Sequence, residues 1–308
     1  MAKDFNFDDV QDQHTDVEVD ETVNINVTDS PISHNKPVIN KDSAKTINVV
    51  IADRNAPMVI LFGPPTCGKT MTLVRLTRYL SAKYGFKPDQ AFRNSNDDDF
   101  QILCDRFNSA VASDEAADGT KWIDFMLLRV NEHRNGRTIC QFVESPGEFL
   151  FDPKNPSAKF PAYLNQIIAS PNRKIWLIFL EPGHNEQVRN AYVKKIQDLR
   201  SVIDNRDRII FVENKVDLPA TSGYILSKNS IDEKGLFQYV KGLYPNLFET
   251  FTVEGIFGTK KRYDFTAFQT GTYVDGKNSD GKPYKSFQAG DDYHPRRLWE
   301  IIYKRIRG

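Results

Sequence analysis

The stretch Gly63-Pro64-Pro65-Thr66-Cys67-Gly68-Lys69-Thr70 combines two glycines, a lysine and a hydroxyl at a spacing suited to holding phosphate. It follows an apolar run of strand character at 58–62 and opens a segment with helical spacing. A glycine-rich turn in that setting closes main-chain N–H groups around phosphate oxygens, sends the Lys69 ammonium to the outer phosphates and leaves the Thr70 hydroxyl for Mg²⁺. The expected ligand is a nucleoside triphosphate.

Far downstream, Arg208-Ile209-Ile210-Phe211-Val212-Glu213 reads as a buried strand running into Asn214-Lys215-Val216-Asp217. A carboxylate at Asp217 can accept two hydrogen bonds from the N1–H and exocyclic amine of guanine, whereas adenine offers no such donor pair. The Lys215 stem can lie along the purine face, and the Asn214 amide can tie this loop to the phosphate loop. A tetrad at the end of an apolar strand, in the same chain as a phosphate loop, points to guanine.

With these two motifs the chain resembles the P-loop GTPases, in their Ras-like and translation-factor-like branch, from about residue 46 onward. Thr138-Ile139-Cys140-Gln141-Phe142-Val143 is similar to the strand that carries the family's D-x-x-G element, here Glu144-Ser145-Pro146-Gly147-Glu148. The resemblance implies that Glu144 takes the place of the Asp that reaches Mg²⁺ through water, with altered geometry because its side chain is longer. It implies that the Gly147 amide senses the γ-phosphate, and Glu148 stands where many members carry a water-orienting Gln. A carboxylate there is repelled by the phosphate it faces, so slow unaided hydrolysis or dependence on an activator follows. Thr120 resembles the switch threonine that closes onto Mg²⁺ and the γ-phosphate, with a plain Gly119-Thr120 turn as the alternative. Phe265-Thr266-Ala267-Phe268 resembles the loop whose Ala amide meets the guanine carbonyl, but lacks its lysine; a buried strand is the alternative. The implied cofactors are GTP or GDP and Mg²⁺, with Lys69, Thr120, Gly147 and Glu148 in catalysis and Thr70, Thr120 and Glu144 toward the metal.

Holding these residues together requires alternating strands and helices. That alternation predicts an α/β fold with a mainly parallel central sheet, helices on both faces and the nucleotide at the carboxyl ends of the strands. From residue 69 to about 84, Leu73, Leu76, Thr77 and Leu80 follow helical spacing, and Gly85 with Pro88 beyond predicts the stop. An insert at about 86–119 sets Phe100, Leu103, Cys104, Phe107 and Val111 on one face of a helix. It reads either as packing or as a lid, or a source of an arginine at Arg93 or Arg106. Residues 175–181 form another core strand, whose terminal Glu181 mimics the acidic strand end of an ATPase, and 185–205 reads as a helix. The polar stretch 271–292 reads as a long loop or hairpin, and the last helix turns Leu298, Ile301, Ile302 and Ile306 to the core.

The folded domain is expected over 46–308, with strand-like residues 46–51 joining it and a turn at Asp53-Arg54-Asn55. Residues 1–45 set Asp4, Asp8, Asp9, Asp12, Asp16, Glu18, Asp20 and Glu21 among few large apolar groups, an acidic tail that is either a solvated arm or a docking segment. A chain of 308 residues with 40 % apolar content can bury one large core. Formal net charge is zero, which argues against nucleic-acid binding by the molecule as a whole, and no basic footprint is visible. Cys67, Cys104 and Cys140 lack metal-ligand spacing and suit a reducing, cytoplasmic setting. No apolar run approaches the roughly 18 to 20 residues of a bilayer span, and neither a signal peptide nor a lipid anchor is expected. The reading is a GTP-hydrolysing switch that meets a protein effector or activator. Its alternatives are a GTP-binding interaction module with little hydrolysis and, third, a P-loop ATPase.

Overall fold

The computed structural model describes residues 47–93, 98–112, 126–255, 258–277 and 283–308. The acidic stretch 1–45 and Thr120 lie outside them.

The strands are β1 (Met58–Phe62), β2 (Tyr84–Pro88), β3 (Met126–Glu132), β4 (Thr138–Glu144), β5 (Lys174–Leu180), β6 (Arg208–Glu213), β7 (Ile225–Ser227), β8 (Ser230–Ile231), β9 (Thr252–Gly255), β10 (Gly258–Lys261), β11 (Tyr263–Ala267), β12 (Gly271–Lys277) and β13 (Pro283–Ala289). Seven of them make one sheet in the order β11-β6-β5-β1-β4-β3-β2, in which β3 alone runs against the rest. Every residue of β1 and of β5 is buried. Because successive strand residues point to opposite faces, a strand buried throughout requires cover on both sides, which is why these apolar runs show no alternation.

The helices are α1 (Lys69–Leu80), α2 (Asp98–Ala112), α3 (Gly147–Leu150), α4 (Ala162–Ala169), α5 (Glu186–Val202), α6 (Glu233–Leu243) and α7 (Tyr293–Arg307). In α1 the buried Arg75 donates to the carbonyl of Gly290 and to Asp292, which pins the start of α7 to the helix after the phosphate loop. The Asn185 side chain caps α5 by accepting from Val188 N at 2.9 Å, and Tyr192 of α5 stacks on Phe62 with centroids 6.3 Å apart. The chain leaves β1 toward β4 on one side and later fills β5, β6 and β11 on the other, so the order reverses at β1. A crevice opens at the carboxyl end of the strand where that reversal occurs.

Three local expectations are corrected. α1 ends at Leu80, and Gly85 and Pro88 belong to β2 at the edge of the sheet, where the absence of an N–H on proline is tolerated. Residues 47–51 carry no strand; they attach through Val49 N to Gln166 Oε1 at 2.9 Å and Val50 N to Phe92 O at 2.9 Å. Thr266 and Ala267 form the end of β11 and not a loop, in register with Val212 and Glu213 of β6. The turn after them is instead the root of the β12–β13 hairpin, which occupies the polar stretch before α7.

Candidate functional site

β1 delivers the chain to Gly63, and α1 begins at Lys69 after Gly68. Gly68 has φ of 87°, and a Cβ there would stand 2.3 Å from Asn214 Nδ2, so conformation and space both demand glycine. No side chain caps α1 and no acidic residue lies in its first turn, which leaves the N–H groups of that turn free to meet an anion. Lys69 is buried and folds into the loop, its Nζ donating to Pro64 O at 2.9 Å and Gly63 O at 3.2 Å. Cys67 is wholly buried, and burial raises its thiol pKa above the usual range.

The loop after β6 is bound to the phosphate loop. Asn214 Nδ2 donates to Cys67 O at 2.8 Å, while Asn214 N donates to Leu180 O at 3.1 Å. Lys215 adopts φ of 56°, and its ammonium reaches Glu181 Oε1 at 2.6 Å. Glu181 is itself held by Tyr244, whose hydroxyl donates to Glu181 O at 2.9 Å and accepts from Glu181 N at 3.3 Å. In the sequence Glu181 mimics the acidic strand end of an ATPase; in the structure its carboxylate holds the Lys215 ammonium.

From the other side β4 ends at Glu144, which accepts a hydrogen bond from the Thr70 hydroxyl. A hydroxyl and a carboxylate meeting at the start of α1 are the hard oxygen donors that suit Mg²⁺, an ion that fills the rest of its shell with phosphate oxygens and water. Gly147 begins α3 against the phosphate loop, and Glu148 beside it is exposed.

A cavity of about 380 Å³ joins these parts. Pro65, Thr66, Gly68, Lys69 and Thr70 line one region, Gly147 and Glu148 stand at its edge, and Asn214, Lys215 and Asp217 complete it. Thr266 and Ala267 are buried and do not line it; Thr270 and Gly271 at the root of the β12–β13 hairpin do. Met71 and Leu218, also unforeseen, contribute apolar wall. Among the described residues no helix is long and apolar enough to cross a membrane.

No protein-family model matches the sequence, and no curated protein matches it significantly. Among solved structures, a putative nucleolar GTP-binding protein 1 from Plasmodium falciparum is similar at TM-score 0.40 and 14% identity, over 84% of this chain and 90% of that one. The GTPase-like domain of Ski7 from S. cerevisiae, bound to GDP and inorganic phosphate, is similar at TM-score 0.40 and 12% identity, over 88% of this chain and 53% of that one. The fold is that of a P-loop NTPase, an assignment that rests on the mainly parallel central sheet and on the phosphate loop between β1 and α1.

Proposed function

We propose that this chain binds GTP and hydrolyses it to GDP and phosphate as a Mg²⁺-dependent switch of the cytoplasm, read by a protein effector or activator. One observation carries the reading: a single cavity has the phosphate loop in one wall and Asp217 in another. The Lys69 ammonium exchanges its carbonyl partners for β- and γ-phosphate oxygens, and the N–H groups at the start of α1 hold the same oxygens. Asp217 accepts from guanine N1–H and the exocyclic amine, with the Lys215 stem along the purine face. Thr70 and Glu144 would hold Mg²⁺, which when bound neutralises phosphate charge during transfer. Gly147 offers its N–H to the γ-phosphate, and ordering of α3 around that contact changes the surface a partner meets.

Glu148 supports slow turnover. Its exposed carboxylate lines the cavity and repels the attacked phosphate, so an activator that displaces or neutralises it accelerates the reaction. The same residue favours a second reading, an interaction module that binds GTP and scarcely cleaves it; multiple-turnover phosphate release separates the two. The third reading, an ATPase, loses support because Glu181 is engaged with Lys215, and competition between ATP and GTP decides it.

The test of base reading is competitive displacement of a fluorescent nucleotide by GTP, XTP and ATP in the parent and in Asp217→Asn. The amide turns one accepting oxygen into a donor, so GTP affinity drops by at least ~2 kcal/mol while XTP gains. A parent that prefers ATP, or a variant with unchanged GTP affinity and no gain for XTP, rejects the reading.

A further inference from the structure

A second cavity, of about 280 Å³, indents the surface at the amino-terminal ends of β6 and β11. Along β6 from Arg208 to Asn214 this is roughly 20 Å from the nucleotide cavity. Its walls include Arg208 from β6, Lys260 and Lys261 from β10, Arg262 from the link into β11, and Arg305 from α7.

Not all of this charge is available. Arg305 is neutralised by Asp264 through two hydrogen bonds of 2.6 and 2.7 Å. Asp207 also lines the cavity, but its carboxylate accepts from Lys174 N and Trp176 Nε1 at 3.2 Å and from Asp204 N at 3.3 Å. Arg206 is paired with Asp204. The remaining four cations have no carboxylate within ion-pair distance among the described residues. Arg208 donates only to the carbonyls of Arg206 and Asp207, and Arg262 reaches Asn205 Oδ1 at 3.4 Å. The Lys261 ammonium lies 5.1 Å from the ring centre of Phe237. Nearby, burial first and then the charge of Arg208 hold the Arg173 guanidinium below its usual pKa. Like charges converging in a concavity raise the local potential, an arrangement relieved when an anion enters. Zero net charge excludes no local patch: β6 and β10 are far apart in sequence, and the balanced charge of the chain conceals what the fold gathers.

We propose that this cavity is a binding site for a small, multiply phosphorylated anion held by Arg208, Lys260, Lys261 and Arg262. Two lysines supply point charges and two arginines supply planar forks, a donor set that suits tetrahedral oxyanions. No aromatic ring lines the cavity to stack a base, as a single-stranded nucleic acid requires. Ile209 is the one apolar side chain in the lining, too little to anchor a peptide.

The probe is inorganic tripolyphosphate, titrated calorimetrically into the full chain. Lys69→Ala silences the phosphate loop, and Lys260→Gln with Lys261→Gln alters two exposed positions. Binding is expected to persist in Lys69→Ala, to weaken at least tenfold when the two glutamines are added, and to return with arginine at both positions. In the otherwise native chain the glutamine pair should remove one of two titration steps, which repeats the test without Lys69→Ala. Loss of all binding in Lys69→Ala alone, or indifference to Lys260 and Lys261, overturns the site. A single-stranded RNA oligonucleotide that binds Lys69→Ala more tightly than tripolyphosphate, with the same lysine dependence, overturns the ligand class. None of these outcomes depends on which base the nucleotide cavity prefers.

Discussion

The backbone of Gly147 packs against Pro64 so closely that a Cβ at Gly147 would stand 2.5 Å from the Pro64 carbonyl carbon and 2.6 Å from its oxygen. The neighbouring Pro65 N would lie at 2.4 Å. These are main-chain atoms, which cannot rotate aside as a flexible side chain does. The phosphate loop therefore cannot press further toward the first residue of α3 without displacing it.

Gly147→Ala tests that contact. The added methyl group forces the loop or α3 to shift, at the ~1–3 kcal/mol typical of overpacking. GTP affinity should fall by about tenfold, since 1.4 kcal/mol corresponds to a factor of ten. Calorimetry on the parent and the variant measures it, and unchanged affinity would show that the loop relaxes without consequence for phosphate.

Glu148→Gln should raise single-turnover hydrolysis of GTP. A neutral amide can orient water without repelling the γ-phosphate, and general positioning effects of this kind reach ~10²-fold or more. Because Glu148 is exposed, stability should stay within about 0.5 kcal/mol of the parent. An unchanged rate removes Glu148 from the reaction, and a lower one overturns the repulsive role assigned to its carboxylate.

The ion pair between Glu181 and Lys215 gives a prediction that separates base from phosphate. Their side chains are 11% and 32% exposed, so the pair is only partly screened and contributes on the order of 1 kcal/mol. If Lys215 lies along the base and not the phosphates, as proposed, Glu181→Gln should weaken GTP and GDP by the same factor, about fivefold. With Lys215→Met already in place, adding Glu181→Gln should change neither affinity, since the ammonium that the carboxylate holds is gone. Competitive displacement by both nucleotides across the parent, the two single variants and the double variant measures the coupling. Unequal losses for GTP and GDP, or a loss from Glu181→Gln that is undiminished beside Lys215→Met, would assign Glu181 to the fold and not to the lysine.

The elements legible in the sequence were those encoded by neighbours in the chain. The phosphate loop and Asn214-Lys215-Val216-Asp217 both sit where an apolar strand stops, and the fold brings them to one cavity. Gly85 and Pro88 misled because glycine and proline end helices and also occupy edge strands, and only the pairing of β2 with β3 distinguishes the two. Ala267 misled in the same way, since its neighbours fit a strand end as well as a loop. Thr270 carries no local signature, and that of Glu181, an acidic strand end, does not reveal its contact with Lys215; that contact and the place of Thr270 at the hairpin root are products of tertiary packing.

Glu213, the last residue of β6 before Asn214, yields a pH dependence. It is fully buried, and neither carboxyl oxygen has a hydrogen-bond partner among the described residues. Burial first, and then the Glu181 carboxylate, push its pKa well above the usual carboxylate range. The unfolded chain releases this proton near pH ~4.3, whereas the native state retains it to higher pH. Between those two pKa values the native state binds more protons than the unfolded one, so this group lowers stability as pH rises; below the unfolded pKa both states are protonated and no such loss occurs. Glu213→Gln keeps the shape and removes the titration. The variant should therefore melt near the parent at pH 4 and above it at pH 8, each kcal/mol gained raising Tm by about 1.5–2 °C in a chain of this size. Thermal unfolding at pH 4, 6 and 8 measures the gap, and a difference that is constant with pH or larger in acid would mean that Glu213 is not held protonated in the native core.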